Sequence, residues 1–380
     1  MSRTELSIVG VGATETARAL PDDAVRLCVR AALAACEDAG IRPSQIDAVL
    51  SEAHDMPVIF PDILAALGVS PTTFTAHVGL IGAGAAATPL LARALVEAGM
   101  ATTVLCVYGL NLSQTGGPGA FHSADPYKAN LEMPFGFYPQ AVYMASMARR
   151  YCHDFGVDPD DLGYVPLSAR AWAALNPTAE KRKPFTIDEY LAAPYLAEPF
   201  RSLDCCLVSE GAGAFIVTTT ERARDFPQRP VRVLGGCRAV EPVTEHEYLG
   251  VRGEYVLPAR FSGPAALRDA GITAADADIA YLYDCFSIIP VLQYEHIGFC
   301  EPGGALEAFK SGSTRPGGRL PVNTHGGLMS HSYVPAMNSI IEAVIQLRGQ
   351  AGSDRQVLDA EVAIVGAWSA QEHTTLVLAR

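Results

Sequence analysis

Asp38-Ala-Gly-Ile41 with Asp47 six residues later recurs in the second half of the chain as Asp269-Ala-Gly-Ile272 with Asp278. The offset is 231 residues at both points. A repeated order of residues at one fixed offset is typical of internal duplication. The sequence therefore predicts two copies of one folding unit.

The same order of secondary structure surrounds both copies. Gly40 and Gly271 stand where a glycine would end a helix, and a short apolar run follows each of them. Helices alternating with strands predict an α/β fold in which helices cover the sheets. We expect the N-terminal half at residues 1–225 and the C-terminal half at 226–380. The predicted elements are helices over 23–39, 84–98, 264–270 and 338–347 and strands over 48–50, 103–108, 214–219, 279–283, 362–366 and 374–378.

The first copy contains a long segment that the second lacks, over about 111–200. It is rich in aromatic residues and predicts helices over 140–155 and 158–175, the second with a break at Pro166. An insertion of this length typically forms a functional loop domain rather than core.

Composition narrows the classes of function. The 380 residues are 49% hydrophobic and include 28 Lys and Arg against 41 Asp and Glu, a net charge of −13. This balance disfavours nucleic acid or an anionic membrane as partner. No apolar run is long enough to span a bilayer and the first residues do not resemble a signal peptide, so we expect a soluble, cytoplasmic protein. Nine cysteines without regular spacing favour reduced thiols.

Gly82-Ala-Gly84 precedes the helix predicted over 84–98. It matches the start of a dinucleotide-binding fingerprint, but no acidic residue ends the following strand, as that site requires. The small residues instead indicate close helix packing. The backbone N–H groups of such a turn are available to a developing oxyanion.

The segment Asn323-Thr-His325-Gly-Gly-Leu-Met-Ser-His331-Ser-Tyr333 is the densest polar, glycine-containing stretch of the chain. The spacing between His325 and His331 fits no common zinc pattern, so we predict no metal. His325 is expected to orient the loop by hydrogen bonding, and a role as general base stays open.

Two further motifs have alternative interpretations. In Tyr283-Asp284-Cys285-Phe286-Ser287, Cys285 is a nucleophile or a small buried residue, and Asp284 is a base or a helix cap. The triplet Lys181-Arg182-Lys183 is a solvated loop or a clamp for the phosphates of coenzyme A.

These motifs together resemble the thiolase superfamily, in particular its sterol-carrier-type branch, along essentially the whole chain. The resemblance implies a five-layered αβαβα fold, normally a homodimer, built from the two halves with the inserted loop domain. The segments that carry it are 176–177, 200–206, 209–214, 283–287 and 323–327.

Departures from the family pattern point to the chemistry. Neither thiolase cysteine position holds a cysteine: the first falls within 77–84 and the second around Val365-Gly366-Ala367. The family histidine falls on Tyr333, and the first residue of the family's Asn-Glu-Ala-Phe motif falls on Tyr283. The pattern resembles the bacterial steroid side-chain-cleaving aldolases, which release propionyl-CoA and a steroid ketone and work with an OB-fold, zinc-ribbon acyl-CoA-binding partner.

The resemblance therefore implies a retro-aldolase acting on a β-hydroxyacyl-CoA through a thioester enolate, in a heterotetramer with that partner. We expect Tyr283 and Tyr333 to act as base and hydrogen-bond donor, with the pKa of one tyrosine lowered by His325 or His331. Tyr248 is a third candidate. Backbone N–H groups of Gly82, Gly84 and Gly366 would line the oxyanion site.

No cofactor is expected, because coenzyme A is part of the substrate. None of the four lysines lies in the motifs at 283–287 or 323–333, which disfavours a Schiff base. Two alternatives stay open: a non-catalytic acyl-CoA- or sterol-binding subunit, and an acyltransferase that uses Cys285.

Overall fold

The computed structural model describes residues 4–53, 60–111, 126–242 and 256–380. Within these ranges most strands belong to one large mixed sheet, and β5 and β6 form a separate hairpin. The strands are β1 Leu6–Ala13, β2 Ala48–Ala53, β3 Phe74–Leu80, β4 Thr103–Leu110, β5 Tyr195–Ala197, β6 Phe200–Arg201, β7 Gly211–Thr219, β8 Val231–Val240, β9 Ile279–Leu282, β10 Val362–Ser369 and β11 Glu372–Ala379.

The α-helices fall on both sides of this sheet and in the inserted segment. They are α1 Ala24–Ala39, α2 Phe60–Leu67, α3 Gly84–Glu97, α4 Gln140–Phe155, α5 Tyr164–Leu175, α6 Ile187–Ala192, α7 Ala259–Ala270, α8 Ile288–Ile297, α9 Ala305–Lys310, α10 Gly327–Ser330 and α11 Met337–Arg348. No helix among the described residues has the length and apolar character needed to cross a membrane.

The order of the strands shows the duplication directly. The sheet runs β3-β2-β4-β7-β1-β8-β11-β10-β9. Read outward from its centre, β1-β7-β4-β2 on one side corresponds to β8-β11-β10-β9 on the other. The two halves join where Leu6–Ile8 of β1 pairs antiparallel with Val231–Val233 of β8. The proposed domain boundary at residue 225 falls in the connection between β7 and β8.

The repeated aspartates occupy equivalent positions in the two halves. Asp38, near the end of α1, accepts the N–H of Val11 in β1 at 2.9 Å, and Asp269, near the end of α7, accepts the N–H of Gly236 in β8 at 3.0 Å. Each of these aspartates therefore fixes a helix to the strand that precedes it.

The second aspartate of each copy fixes the start of a neighbouring strand. Asp47 accepts the N–H groups of Thr102 and Thr103 at the beginning of β4. Asp278 accepts those of Glu361 and Val362 at the beginning of β10. Both copies of the motif therefore have the same structural task, which explains why the spacing is kept.

Among the described residues the buried core has three parts, which together fill the four spaces between five layers. The central part lies between the two half-sheets and contains side chains of α3 and α11. One outer part packs α1 and α2 against the N-terminal half-sheet, and the other packs α7 and α8, with α4 and α5 of the insertion, against the C-terminal half-sheet. The layers alternate as αβαβα, and the predicted fold is confirmed.

The inserted segment follows β4 and ends before β7. Helix α4 has the predicted bounds, but the helix predicted over 158–175 is divided differently. A 3-10 helix over Pro159–Gly163 comes first, and α5 then begins at Tyr164. Pro166 lies in the first turn of α5, where its missing N–H has no acceptor within the helix, so it does not break the helix.

Candidate active site

Two tyrosines from the second half meet beyond the end of strand β9. Tyr283 directly follows β9, and Tyr333 lies in the loop between α10 and α11. Their hydroxyl oxygens are 3.1 Å apart, within hydrogen-bonding distance. Trp368 of β10 meets the Tyr283 ring edge-on, with 5.9 Å between ring centroids. The structure therefore places together the two tyrosines that stand where the family pattern has other residues.

The environment of the pair raises both pKa values. Tyr283 is buried, with 7% of its surface exposed, and burial followed by the neighbouring Tyr333 holds its pKa well above the ordinary value of a tyrosine. Burial also raises the pKa of Tyr333, with the thiols of Cys206 and Cys285 as further causes. The expectation of a lowered tyrosine pKa is wrong, because desolvation disfavours the phenolate.

The two histidines contact each other. The rings of His325 and His331 pack edge-to-face, with 5.3 Å between centroids. His331 Nδ1 lies 2.9 Å from Ser332 Oγ, and its Nε2 lies 3.2 Å from Thr178 Oγ1. Among the described residues His325 has no hydrogen-bond partner at either ring nitrogen. Its ring therefore does not orient the loop in the predicted way.

Both histidine rings are neutral. Burial lowers the pKa of His331 to about 4 and, together with the neighbouring His331, lowers the pKa of His325 well below its ordinary value. Neither ring supplies a positive charge that would favour a phenolate. Within the described ranges no group of three acidic, histidine or cysteine side chains is placed to hold a metal ion.

The turn before α3 is occupied by a carboxyl group that the sequence analysis missed. Glu52, at the end of β2, is fully buried and accepts the N–H of Gly82 at 3.2 Å and that of Ala85 at 2.8 Å. Gly84 is a further backbone donor that favours the charged form of this carboxyl. The expected oxyanion role of Gly82 and Gly84 is therefore wrong for this arrangement, since their N–H groups point at Glu52.

The repeat itself contains a signal for Glu52. The offset of 231 that relates Asp47 to Asp278 also relates Glu52 to Tyr283. Each residue stands at the end of an equivalent strand and contacts the segment before the central helix of its own half. The Glu52 and Tyr283 sites are also adjacent. Gly82, which donates to Glu52, lies next to the Tyr283 ring, because a Cβ on Gly82 would lie 3.0 Å from Cε2 of Tyr283.

Gly366 lies beside Tyr283 but presents an acceptor to it. The carbonyl oxygen of Gly366 accepts the N–H of Tyr283 at 3.0 Å. A Cβ on Gly366 would lie 2.6 Å from Oε1 of Gln293, so this strand position has no room for a side chain. Gly366 therefore contacts the tyrosine pair with its carbonyl oxygen, and not with the N–H group that was expected to line the oxyanion site.

The residues after Tyr283 have structural tasks. Asp284 accepts the N–H of Leu328 at 2.7 Å at the beginning of α10, and burial raises its pKa to about 7. It therefore caps this short helix. Cys285 is buried, and burial with the neighbouring Cys206 holds its pKa well above that of an ordinary thiol.

The basic triplet adjoins the histidine loop. Lys181, Arg182 and Lys183 are exposed, and the N–H of Lys181 donates to the carbonyl of Ser330 at 2.9 Å. Arg170 donates to the carbonyl of Lys183 at 2.8 Å. The triplet is thus fixed at the surface by its backbone while its side chains face solvent. Tyr248 lies outside the described residues.

The chain is similar to known proteins along most of its length. A family model described as "Thiolase C-terminal domain-like" matches residues 244–380. A "17-hydroxy-3-oxo-4-pregnene-20-carboxyl-CoA lyase" of Mycobacterium tuberculosis is 33% identical over 91% of this chain and 92% of its own. A "Steroid side-chain-cleaving aldolase" of Thermomonospora curvata is 32% identical over 90% of both chains.

The chain belongs to the thiolase superfamily, in its aldolase branch. A solved "Ltp2-ChsH2(DUF35) aldolase" superposes with a TM-score of 0.90 at 31% identity, and the match covers 99% of this chain and 97% of that one. The chain is accordingly a carbon–carbon lyase. The loss of both thiolase cysteines fits this assignment, since a lyase of this type needs no acyl-enzyme.

Proposed function

We propose that this member of the aldolase branch is a CoA-thioester retro-aldolase, which cleaves a β-hydroxyacyl-CoA to a ketone and propionyl-CoA. The proposed substrate is a 17-hydroxy steroid whose side chain carries the CoA thioester, in keeping with the names of its relatives. The observation that carries the proposal is the distance of 3.1 Å between the hydroxyls of Tyr283 and Tyr333.

The reaction leaves the number of protons unchanged. The β-hydroxyl loses its proton and its O–H electron pair forms the ketone, while the electrons of the Cα–Cβ bond pass into the thioester enolate. The enolate then takes up one proton at Cα. A catalyst must therefore move a proton from one end of the broken bond to the other.

Two neutral, hydrogen-bonded tyrosines can make this transfer together. One hydroxyl accepts the proton of the substrate while its own proton passes to the second hydroxyl, which gives its proton to the enolate. No free phenolate has to exist beforehand, so the raised pKa values of both residues are compatible with the reaction. This relay replaces the single tyrosine base expected from the sequence.

The raised pKa of Cys285 disfavours acyl transfer through this residue. A cysteine nucleophile reacts as its thiolate, and the pKa of Cys285 is held far above the ordinary value by burial. The side chain of Cys285 also neighbours the thiol of Cys206 and the carboxyl of Asp284, neither of which favours a negative charge.

We further propose a cytoplasmic homodimer that binds an OB-fold, zinc-ribbon partner to form a heterotetramer. For the partner protein, support comes from the solved aldolase, whose name pairs Ltp2 with ChsH2(DUF35). The exposed triplet 181–183 is proposed to bind the phosphates of coenzyme A, because its backbone is fixed while its charges face solvent.

The direct experiment supplies 17-hydroxy-3-oxo-4-pregnene-20-carboxyl-CoA to the protein, alone and with such a partner. Equal amounts of steroid ketone and propionyl-CoA are expected. The control is the same thioester without the 17-hydroxyl group, which has no proton to give and should stay intact. Absence of both products with the partner present, or formation of a longer acyl-CoA, would contradict the proposal.

A further inference from the structure

The side chain of Gln293 holds the backbone of Tyr283 in place. Tyr283 follows the last residue of β9 that pairs with β10. Its N–H lies 3.3 Å from Oε1 of Gln293 as well as 3.0 Å from the carbonyl of Gly366, and its carbonyl accepts Nε2 of Gln293 at 2.7 Å. One side-chain amide thus meets both polar groups of Tyr283, as a neighbouring strand would.

Gln293 is itself oriented by a second buried pair. His373 Nε2 lies 3.1 Å from Oε1 of Gln293, and Ser262 Oγ lies 2.6 Å from Nδ1 of His373. All three side chains are fully buried. Burial lowers the pKa of His373 to about 3, so its ring is neutral and has one N–H group.

The direction of each hydrogen bond follows from these groups. Because Nε2 of Gln293 donates to Tyr283, its Oε1 faces His373 and can only accept. His373 therefore donates from Nε2, and its Nδ1 accepts the hydroxyl hydrogen of Ser262. The amide of Gln293 has one orientation that satisfies the whole chain, so its contacts with Tyr283 are fixed.

The absence of a side chain at Gly366 leaves space for this chain of hydrogen bonds. Ser262 lies on α7, Gln293 on α8 and His373 on β11, and the contact between Gln293 and His373 lies against Gly366 of β10. A Cβ on Gly366 would lie 2.6 Å from Oε1 of Gln293 and 3.3 Å from Nε2 of His373. A buried polar network is more costly than apolar packing unless every member is satisfied. All its members are satisfied here, and the network ends on Tyr283.

We propose that Gln293 is a positioning residue for Tyr283, held in orientation by His373 and Ser262. It fixes the peptide of Tyr283, and through the peptide it fixes the distance of the Tyr283 hydroxyl from that of Tyr333. This inference rests on the proposed function of the tyrosine pair. Gln293 touches no reacting atom, so its loss should lower the rate of the chemical step and leave substrate binding unchanged.

The test replaces Gln293 by methionine, which keeps the length and removes both polar contacts. We expect kcat to fall about 10- to 100-fold, as for a small misplacement of a reacting group, with KM within about twofold. The matched control is Gln346→Met on α11. Gln346 is equally buried and hydrogen-bonded to Thr324, Glu342 and the carbonyl of Arg355, but not to Tyr283. Its kcat should stay within about threefold of the wild type.

A second variant covers the case in which Gln293→Met does not fold. Ser262→Ala removes the donor to His373 and leaves Gln293 in place, and a smaller fall of about two- to fivefold in kcat is expected, again at constant KM. Wild-type kcat in every variant that folds would overturn the inference. An equal fall in Gln346→Met would also overturn it, because the effect would then be general.

Tyr283→Phe, assayed beside these variants, separates this inference from the proposed function. Full activity of Tyr283→Phe would mean that the tyrosine pair does not perform the reaction, and both proposals would fail. An inactive Tyr283→Phe beside fully active Gln293→Met and Ser262→Ala would leave the proposed function standing and remove the positioning role alone.

Discussion

The carboxyl group of Glu52 accepts the N–H of Ala85 at 2.8 Å and so occupies the beginning of α3. Thiolase chemistry would place a cysteine nucleophile near this helix end. Here the carboxyl of the buried Glu52 lies at that helix end instead, and the residue equivalent to Glu52 in the second half is Tyr283. The equivalent residues at the ends of the two duplicated strands therefore have different roles.

Replacing Glu52 by glutamine should change the pH dependence of stability. Burial raises the pKa of Glu52 to about 8, with the charge of Glu372 as a smaller cause, against 4.5 for a free glutamate. The folded state therefore keeps a proton that the unfolded state loses, and the contribution of Glu52 to wild-type stability falls as pH rises from about 4.5 to 8. Glu52→Gln has no such proton.

Urea unfolding of both proteins at a series of pH values measures this effect. The stability of Glu52→Gln relative to the wild type should rise with pH, by at most about 1.4 kcal/mol per pH unit, and become constant above about pH 8. A stability difference that does not change between pH 5 and 8 would show that the unfolded and folded chains bind the same number of protons at this residue.

The pH dependence of kcat distinguishes the relay from a single phenolate base. A base with a raised pKa would give a tenfold increase in kcat for each pH unit below that pKa. The relay uses the neutral forms of Tyr283 and Tyr333, so no such increase is expected between about pH 6.5 and 9. Measuring the wild type and Glu52→Gln together separates the titration of Glu52 from that of the tyrosines. A tenfold rise per unit in both proteins would refute the relay.

Removing charge from the basic triplet should weaken binding of the substrate without slowing the reaction. Replacing Lys181 and Arg182 by alanine leaves the backbone anchor at Ser330 in place. KM for the acyl-CoA should rise about 3- to 10-fold at low salt, and the difference should shrink as salt is added. Arg224→Ala, an exposed arginine in the 3-10 helix Arg222–Asp225, is the control. An unchanged KM in the double variant would remove the triplet from the CoA site.

The sequence predicted much of the fold because the repeated aspartates and the glycines at 40 and 271 each act locally. Both glycines end a helix in the left-handed region, with φ of 66° and 72°. Strands β1 and β8 were not predicted. Their pairing joins the two halves, and a contact between residues more than 200 positions apart leaves no local pattern in either strand.

The site was predicted in part. The resemblance identified Tyr283 and Tyr333, but the sign of their pKa change depends on burial, which only the packed structure determines. Glu52 was missed because a single acid at the end of an apolar strand is ordinarily exposed. The role expected for His325 was wrong for a related reason: its ring faces His331 and Tyr281 inside the fold.

The most direct test of the account is the cleavage activity of Tyr283→Phe and Tyr333→Phe with the partner protein present. Each substitution removes one hydroxyl of the 3.1 Å pair and keeps the ring that packs in the core. We predict that kcat falls at least about 10³-fold in both variants, with unchanged folding and little change in KM. Either variant cleaving the substrate at the wild-type rate would contradict the account.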